Sequence, residues 1–168
     1  MRHISRFLFD TVDTEFGKIG LTADETGITN VYLPGEAPKA DPLRENDAAS
    51  RQIAELLREA ARQISEYLNG ARREFDLPVS PAGTAFMRLV WDELRRIPYG
   101  ETATYAQIAA RVGRSGAYRA VGLACNRNPI PIMIPCHRVI GSSGKLTGYR
   151  GGLTMKERLL VMEAEHNA

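Results

Sequence analysis

The segment that most restricts how this chain can fold is Asn128-Pro129-Ile130-Pro131-Ile132-Met133-Ile134-Pro135-Cys136-His137-Arg138-Val139-Ile140. Its three prolines each fix φ and remove a backbone donor, so the piece cannot be helix and is poor material for a sheet interior. With branched apolar residues between the prolines, it reads as a rigid, extended, buried support. The support ends on a thiol beside an imidazole, and a nucleophile needs to be held in one place. Free cysteine is also a common inert packing residue, so adjacency alone leaves a structural thiol open. Activation depends on pKa and access. The cation-capable His137 and Arg138, with a polar glycine-rich loop after them, favour chemistry.

Ahead of this segment the chain changes character twice. Phe7-Leu8-Phe9, Lys18 to Ala23 and Ile28 to Leu33 are short β-like pieces separated by Gly17 and by Asp24-Glu25-Thr26-Gly27, which is hairpin grammar. Glu36 to Asn46 is polar and reads as a loop. Ile53, Leu56, Leu57, Ala60, Ile64 and Leu68 recur at helical spacing, predicting one amphipathic helix that covers the sheet and ends near Asn69-Gly70. Phe75 to Val79 is expected to return as a strand. This half carries no catalytic constellation and reads as a structural module. Pro78 to Gly83 is the expected linker, which divides the chain into residues 1–78 and 79–168.

In the second half, Phe86, Leu89, Val90, Leu94 and Ile97 share one helical face, and Pro98-Tyr99-Gly100 stops that helix. Thr104 with Gln107 predicts a capping box. Gly113 should end the short helix that follows, and Ser115 can cap the next, through Ala117, Ala120, Val121 and Ala124. Two short helices about Gly113-Arg114 are helix-turn-helix grammar. The second is lined by small residues with Arg119 among them, which suits close approach to a minor groove; ordinary helix packing with a solvated arginine is the bland alternative. Thr154 with Glu157 predicts a further capping box, and Glu163 lies on the apolar face of Leu159 and Leu160, either half exposed near a helix end or buried beside a partner.

Net charge is +2, but residues 1–78 carry 10 Lys/Arg against 14 Asp/Glu, or −4, and residues 79–168 carry 12 against 6, or +6. A polyanion partner for the second half follows, with a solvated basic face as the alternative. No apolar run approaches the ~18 residues of a membrane span and no export signal is evident, so the expected setting is cytoplasmic, with no membrane partner. Cys125 and Cys136 could in principle pair, but a reducing compartment argues for free thiols. His3, His137 and His166 lack metal-ligand spacing, so neither a metal nor a cofactor is expected.

The string Pro135-Cys136-His137-Arg138, with Asn128-Pro129 before it and Gly148-Tyr149-Arg150-Gly151-Gly152 after it, resembles the active-site region of the O6-alkylguanine-DNA alkyltransferases. The likeness runs from about Phe86 to Glu163 and includes Val90-Trp91, Ile97 to Thr102, Tyr105, Ile108-Ala109, Arg119 to Gly122 and Leu159-Leu160; residues 1–78 match loosely. It implies an α+β chain, with a small antiparallel-sheet-plus-helix domain of RNase H-like type followed by a mostly helical winged helix-turn-helix domain. It also implies repair by irreversible, stoichiometric transfer of an alkyl group from guanine O6, with O4 of thymine left open, in double-stranded DNA. The resemblance puts the acceptor at Cys136, with His137 and Glu163 as its relay, Asn128 as a brace and Tyr105 as a proton donor to the flipped base. Tyr105, Ala106, Arg114, Ala117, Tyr118, Arg119, Ala120 and Ser142 fall at DNA-facing positions, and Met133, Tyr149 and Arg150 at substrate-facing ones, with Arg119 filling the vacated stack. A monomer is implied, with cooperative binding along DNA left open.

Three departures qualify the likeness. Tyr118 stands where a small residue is expected, Arg127 replaces a common glycine, and the zinc ligands and regulatory domain of some members are lacking, as in a short constitutive form. A noncatalytic winged-helix or lesion-binding protein would share the basic half but needs no Cys-His pair. A cysteine hydrolase would need an oxyanion motif that is not evident.

Overall fold

The structure, a computed structural model, describes residues 7–38, 41–42 and 44–168. The chain divides into two compact units, the first ending at Ala82 and the second beginning at Gly83.

The first unit is a four-stranded sheet in the order β3-β2-β1-β4, with β1 spanning Leu8–Thr14, β2 Gly17–Asp24, β3 Gly27–Tyr32 and β4 Asp41–Pro42. The three long strands are antiparallel neighbours. Asp24 closes the β2–β3 turn by accepting from the amides of Thr26 (2.7 Å) and Gly27 (3.2 Å). Helix α1, Ala48–Leu68, lays Ile53, Leu57, Ala60, Ile64 and Leu68 against the sheet, as the spacing predicts. It starts five residues before its apolar stripe because Asp47 and Ser50 form a reciprocal capping box.

Two expectations for this unit fail. The region taken as pure loop contains β4, whose two residues pair in parallel with Leu8 and Phe9; Pro42 is tolerated because β4 is an edge. Phe75 to Val79 is not a strand. Interrupted by Pro78 and followed by Pro81, it forms one bridge, in which Pro78 accepts from Ile28 (2.9 Å) and Ser80 donates back to Ile28 (2.7 Å). A Cβ at Gly27 would sit 2.6 Å from the Pro78 oxygen, so this crossing requires glycine.

The second unit is mostly helical. Helix α2, Ala85–Leu94, is capped by Thr84, which accepts from Met87. Its inward face is rotated from the expected one: Trp91 is 1% exposed and Leu89 is 54% exposed. The indole decides this, because its Nε1 donates to the Ala124 carbonyl at 2.9 Å and a buried Trp needs such a partner. The two-residue strand β5, Ala103–Thr104, leads into α3, Tyr105–Arg111, through the predicted Thr104–Gln107 capping box. Helix α4, Tyr118–Asn126, packs on α2 and α3 through Val121 and Ala124. Ser115 does not cap it. Gly116, at φ +91°, turns the chain between them, and the N-cap is Ala117 with no side-chain hydrogen bond.

The proline-rich segment is buried and rigid but not extended. It folds into a tight turn in which the Ile134 amide donates to Ile130 (2.9 Å) and Ile132 is held at φ +75°. Such a backbone costs a β-branched residue of order 1–3 kcal/mol. Asn128 holds the turn from inside, accepting from the Ile130 amide at 3.0 Å and donating to the Ile134 carbonyl at 2.8 Å. A single 3-10 turn, Cys136–Arg138, then enters β6, Val139–Ile140, which pairs in parallel with β5. Helix α5, Leu153–Asn167, begins one residue before Thr154, at an N-cap Gly152 with φ +90°, so the predicted Thr154 capping box does not form. Together these elements give the α+β architecture expected, a sheet-plus-helix unit followed by a helical unit with a helix-turn-helix pair. Among the described residues no helix is long and apolar enough to cross a membrane.

Candidate active site

The site grows from one tight turn and one helix. In the 3-10 turn the Cys136 amide donates to Ile134 (2.8 Å) and the Arg138 amide to Pro135 (3.0 Å), so three successive side chains radiate from a fixed backbone. Cys136 borders a cavity, while His137 and Arg138 point into the protein. Helix α5 meets them with a buried stripe of Met155, Lys156, Leu159, Met162 and Glu163, the i, i+4, i+7 face of a helix. That stripe carries a buried acid and a buried base seven residues apart.

Glu163 is fully buried and satisfied. It accepts from His137 Nε2 at 2.9 Å, from Arg138 Nε at 2.9 and 3.0 Å, from Arg138 Nη2 at 2.7 Å and from the Gly100 amide at 3.2 Å. Arg138 is in turn tied to the Ile97 carbonyl (2.7 Å) and lies over the Tyr99 ring. Burial by itself would raise the Glu163 pKa, but the hydrogen bonds from His137 and Arg138 outweigh it and bring the carboxyl down to about 2. It is therefore a carboxylate at neutral pH. His137 is driven the other way, since burial pushes its pKa down and Glu163 only partly restores it. A neutral imidazole with Nε2–H donated to the carboxylate keeps its basic lone pair on Nδ1.

Around the thiol, burial raises the Cys136 pKa, and a hydrogen bond from Asn128 and the charges of Lys156 and Arg150 oppose it. Lys156 is wholly buried, its Nζ donating to the carbonyls of Val139 (2.6 Å) and Thr147 (2.9 Å), and none of the ion pairs among the described residues includes it. Burial lowers its pKa, and negative charge forming on Cys136 works to restore it. Thr147 also meets Tyr105, accepting from the phenol at the backbone (3.3 Å) and donating its hydroxyl to the phenolic oxygen (3.0 Å). Burial raises the Tyr105 pKa, so the phenol keeps its proton.

The cavity holds about 100 Å³ and brings together Cys136, Asn128 and Tyr105 with Tyr149 and Arg150, five of the residues expected at the site. Arg150 also donates to the Asn128 carbonyl at 2.8 Å. His137 and Glu163 stand behind the cavity as a buried pair. Met133 is buried in the proline-rich turn and does not line the cavity; Pro131 does. The other expected positions do not line the cavity. Ala106, Arg114, Tyr118, Arg119 and Ala120 are exposed and Ala117 half-buried on the α3–α4 face, and Ser142 is exposed after β6. Arg119 lies 5.9 Å from the Tyr118 ring and Arg114 lies 6.0 Å from the Phe86 ring.

Four residues of the site have roles that the sequence did not assign. Arg138 appears there only as a cation beside the thiol, whereas its guanidinium grips Glu163. Lys156 carries a signal that spacing could have exposed, since it sits one turn-register before Leu159 and seven residues before Glu163. Thr147 carries none, and Cys125 is legible only as a second thiol, not as a neighbour of the cavity. Both cysteines are free, and among the described residues no cluster of three or more His, Cys, Asp or Glu side chains could hold a metal ion.

Two family models match the chain: "6-O-methylguanine DNA methyltransferase, ribonuclease-like domain" over residues 8–81 and "6-O-methylguanine DNA methyltransferase, DNA binding domain" over residues 85–165. The chain is 48% identical over 156 residues to a methylated-DNA--protein-cysteine methyltransferase of Methanosarcina barkeri, covering 92% of this chain and 96% of that one. It is 43% identical over 156 residues to the constitutive enzyme of that name from Bacillus subtilis, covering 92% and 94%. Its fold superposes on the crystal structure of Mycobacterium tuberculosis OGT in complex with DNA with a TM-score of 0.83 and 39% identity, over 95% of this chain and 94% of that one.

Proposed function

The chain belongs to the 6-O-methylguanine DNA methyltransferase family, and from that premise we propose that its transfer chemistry rests on Cys136. The protein repairs DNA by direct reversal: an alkyl group on guanine O6 moves to one of its own cysteines, in a single irreversible turnover. The observation that carries the assignment to Cys136 is its position on the cavity with the neutral His137 and the ionised Glu163 directly behind it.

A buried thiol is a poor nucleophile until it loses its proton. The proton passes to His137, directly or through one water, and Glu163 stabilises the imidazolium that forms. The charge of Lys156 favours the thiolate left behind. Sulfur then attacks the alkyl carbon, the S–C bond forms as the C–O6 bond breaks, and the electron pair leaves with the base. Tyr105, which burial keeps protonated, donates to the departing guanine. The imidazolium then gives up the thiol's proton to solvent and the Tyr105 phenolate takes one back, so in sum the thiol loses one proton, the base gains one and the step needs no cofactor.

O6 cannot be reached inside a stacked duplex, so the base must swing out. Arg119, exposed among the small Ala117 and Ala120, enters the vacated stack, and Tyr149 with Arg150 closes over the extruded base. Tyr118, Arg114, Ala106 and Ser142 lie along the strand, and phosphate contacts give affinity without sequence preference. One protein molecule is consumed per lesion, so a monomer suffices.

Peptide mass spectrometry after mixing the protein with a duplex holding one O6-methylguanine tests the assignment. One methyl group on the Cys136 peptide is expected, at a stoichiometry that stops at one per chain. A methyl group on Cys125, or continued turnover, would overturn it.

A further inference from the structure

The reaction cavity holds both of the chain's cysteines. Cys125, the penultimate residue of α4, and Cys136, which opens the 3-10 turn, lie 136 − 125 = 11 residues apart in sequence and line the same cavity of about 100 Å³. The tight turn at Ile130–Ile134 folds the intervening chain back and makes this possible. Cys125 takes no part in the transfer described above, although it contributes a soft nucleophile to the space in which the acceptor sulfur reacts. Gly122, one helical turn before Cys125, lines the cavity too, so no side chain from that turn of α4 stands between the half-buried thiol and the cavity.

We propose that Cys125 is the resolving thiol for Cys136: when peroxide oxidises the acceptor, the two sulfurs join in a reversible disulfide that protects the acceptor from irreversible oxidation. The site takes a small hydroperoxide such as hydrogen peroxide, and a cavity of about 100 Å³, against the ~10–15 Å³ that one water needs by the same measure, has room for it. The steps balance. The Cys136 thiolate attacks one peroxide oxygen, the O–O bond breaks and hydroxide leaves, giving a sulfenic acid. Cys125 attacks that sulfur, the S–O bond breaks, and the oxygen leaves as water with the Cys125 proton. In sum two thiols and one hydrogen peroxide give one disulfide and two waters, sulfur being oxidised and peroxide reduced. A dithiol reductant reverses it by exchange. Without a resolving partner, a sulfenic acid proceeds to sulfinic and sulfonic acids, which thiols do not reverse.

The electrostatics set the conditions. Burial raises the pKa of both thiols and the Lys156 charge opposes this at each, so the oxidation should accelerate as pH rises. This role rests on Cys136 being the reactive sulfur, but its test reads the sulfurs without DNA, so its failure and a failure of alkyl transfer are separate results. The full-length protein is exposed to dilute hydrogen peroxide at pH 8, blocked with a thiol alkylating agent, digested without reductant and mapped by mass spectrometry. The expected product is a peptide pair joined through Cys125 and Cys136, with alkyl acceptance lost in step and recovered in full after dithiothreitol. In Cys125→Ser, or Cys125→Ala if the serine variant does not fold, Cys136 is expected as sulfinic and sulfonic acid. Acceptance, scored against each variant's own untreated level, then stays lost. The proposal fails if the wild-type map contains no joined pair, if Cys136 is found only as a sulfinic acid, or if a Cys125 variant recovers as completely as wild type.

Discussion

Replacing Glu163 by Gln tests the buried network most directly, because it removes one charge with almost no change of shape. The carboxylate is depressed from 4.5 to about 2, a difference of about 2.5 pKa units. At 1.36 kcal/mol per unit this is about 3 kcal/mol of stability at neutral pH. An independent route agrees in size, since breaking a buried ion pair and stranding its partner, here Arg138, costs about 3–5 kcal/mol. The sign with pH follows from the direction of the shift. A depressed carboxyl stabilises above its unfolded pKa, so the contribution is complete above pH 4.5 and disappears as pH falls toward 2. His137 acts in the same sense, as burial depresses its pKa and the unfolded chain takes up its proton first when pH drops below 6.5. Glu163→Gln should therefore lower the melting temperature at pH 7 by about 10 °C, and its deficit against wild type should shrink through the acid range. Single-turnover transfer should slow as well, because an imidazole without its carboxylate is a weaker base. Thermal denaturation at pH 7 and at pH 3, with transfer rates measured on the folded fraction, provides the check. A variant with wild-type stability at pH 7, or a deficit of the same size at both pH values, would refute the account of Glu163 as a charged anchor.

Lys156→Met should move the pH dependence of transfer toward alkaline values, since the charge opposing the raised Cys136 pKa is gone; an unchanged profile would confine Lys156 to bracing Val139 and Thr147. Asn128→Ala strands the Ile130 amide and the Ile134 carbonyl, and should cost about 1–3 kcal/mol for each group in chemical denaturation. Arg119→Ala should weaken repair of a duplex more than reaction with a free alkylguanine base, and equal losses on both substrates would remove its role in flipping. Thr147→Val removes a hydroxyl bond to Tyr105 but keeps the backbone contact, so transfer should fall by less than in Tyr105→Phe, as measured by single-turnover rates.

Much of this chain could be read from patterns spanning a few residues. The apolar stripe of α1, the Thr104–Gln107 box that starts α3, the glycine that ends it and the helix pair that follows all depend on neighbours within a turn or two. Local hydrogen bonding and helical periodicity are enough to specify them. The same local logic fails where a distant group competes. Ser115 and Thr154 have the chemistry of caps, but Gly116 and Gly152 turn the backbone elsewhere, and Leu89 yields the interior to Trp91 because Ala124 offers the indole an acceptor. The prolines foretold a rigid segment, whereas its folding into a turn comes from Asn128, which satisfies the buried backbone groups there.

The resemblance named Cys136, His137 and Glu163, but only packing could bring them together. Glu163 lies 26 residues from His137 and 63 from Gly100, and it meets both because α5 docks its Met155–Leu159–Met162 face under the 3-10 turn. That docking also buried Lys156 and brought the guanidinium of Arg138 onto the acid, and the turn after α4 brought Cys125 to the acceptor's cavity. The chain's local chemistry determined which side chains could react. Long-range burial determined their charge states, because desolvation and pairing act only after distant elements have closed around them.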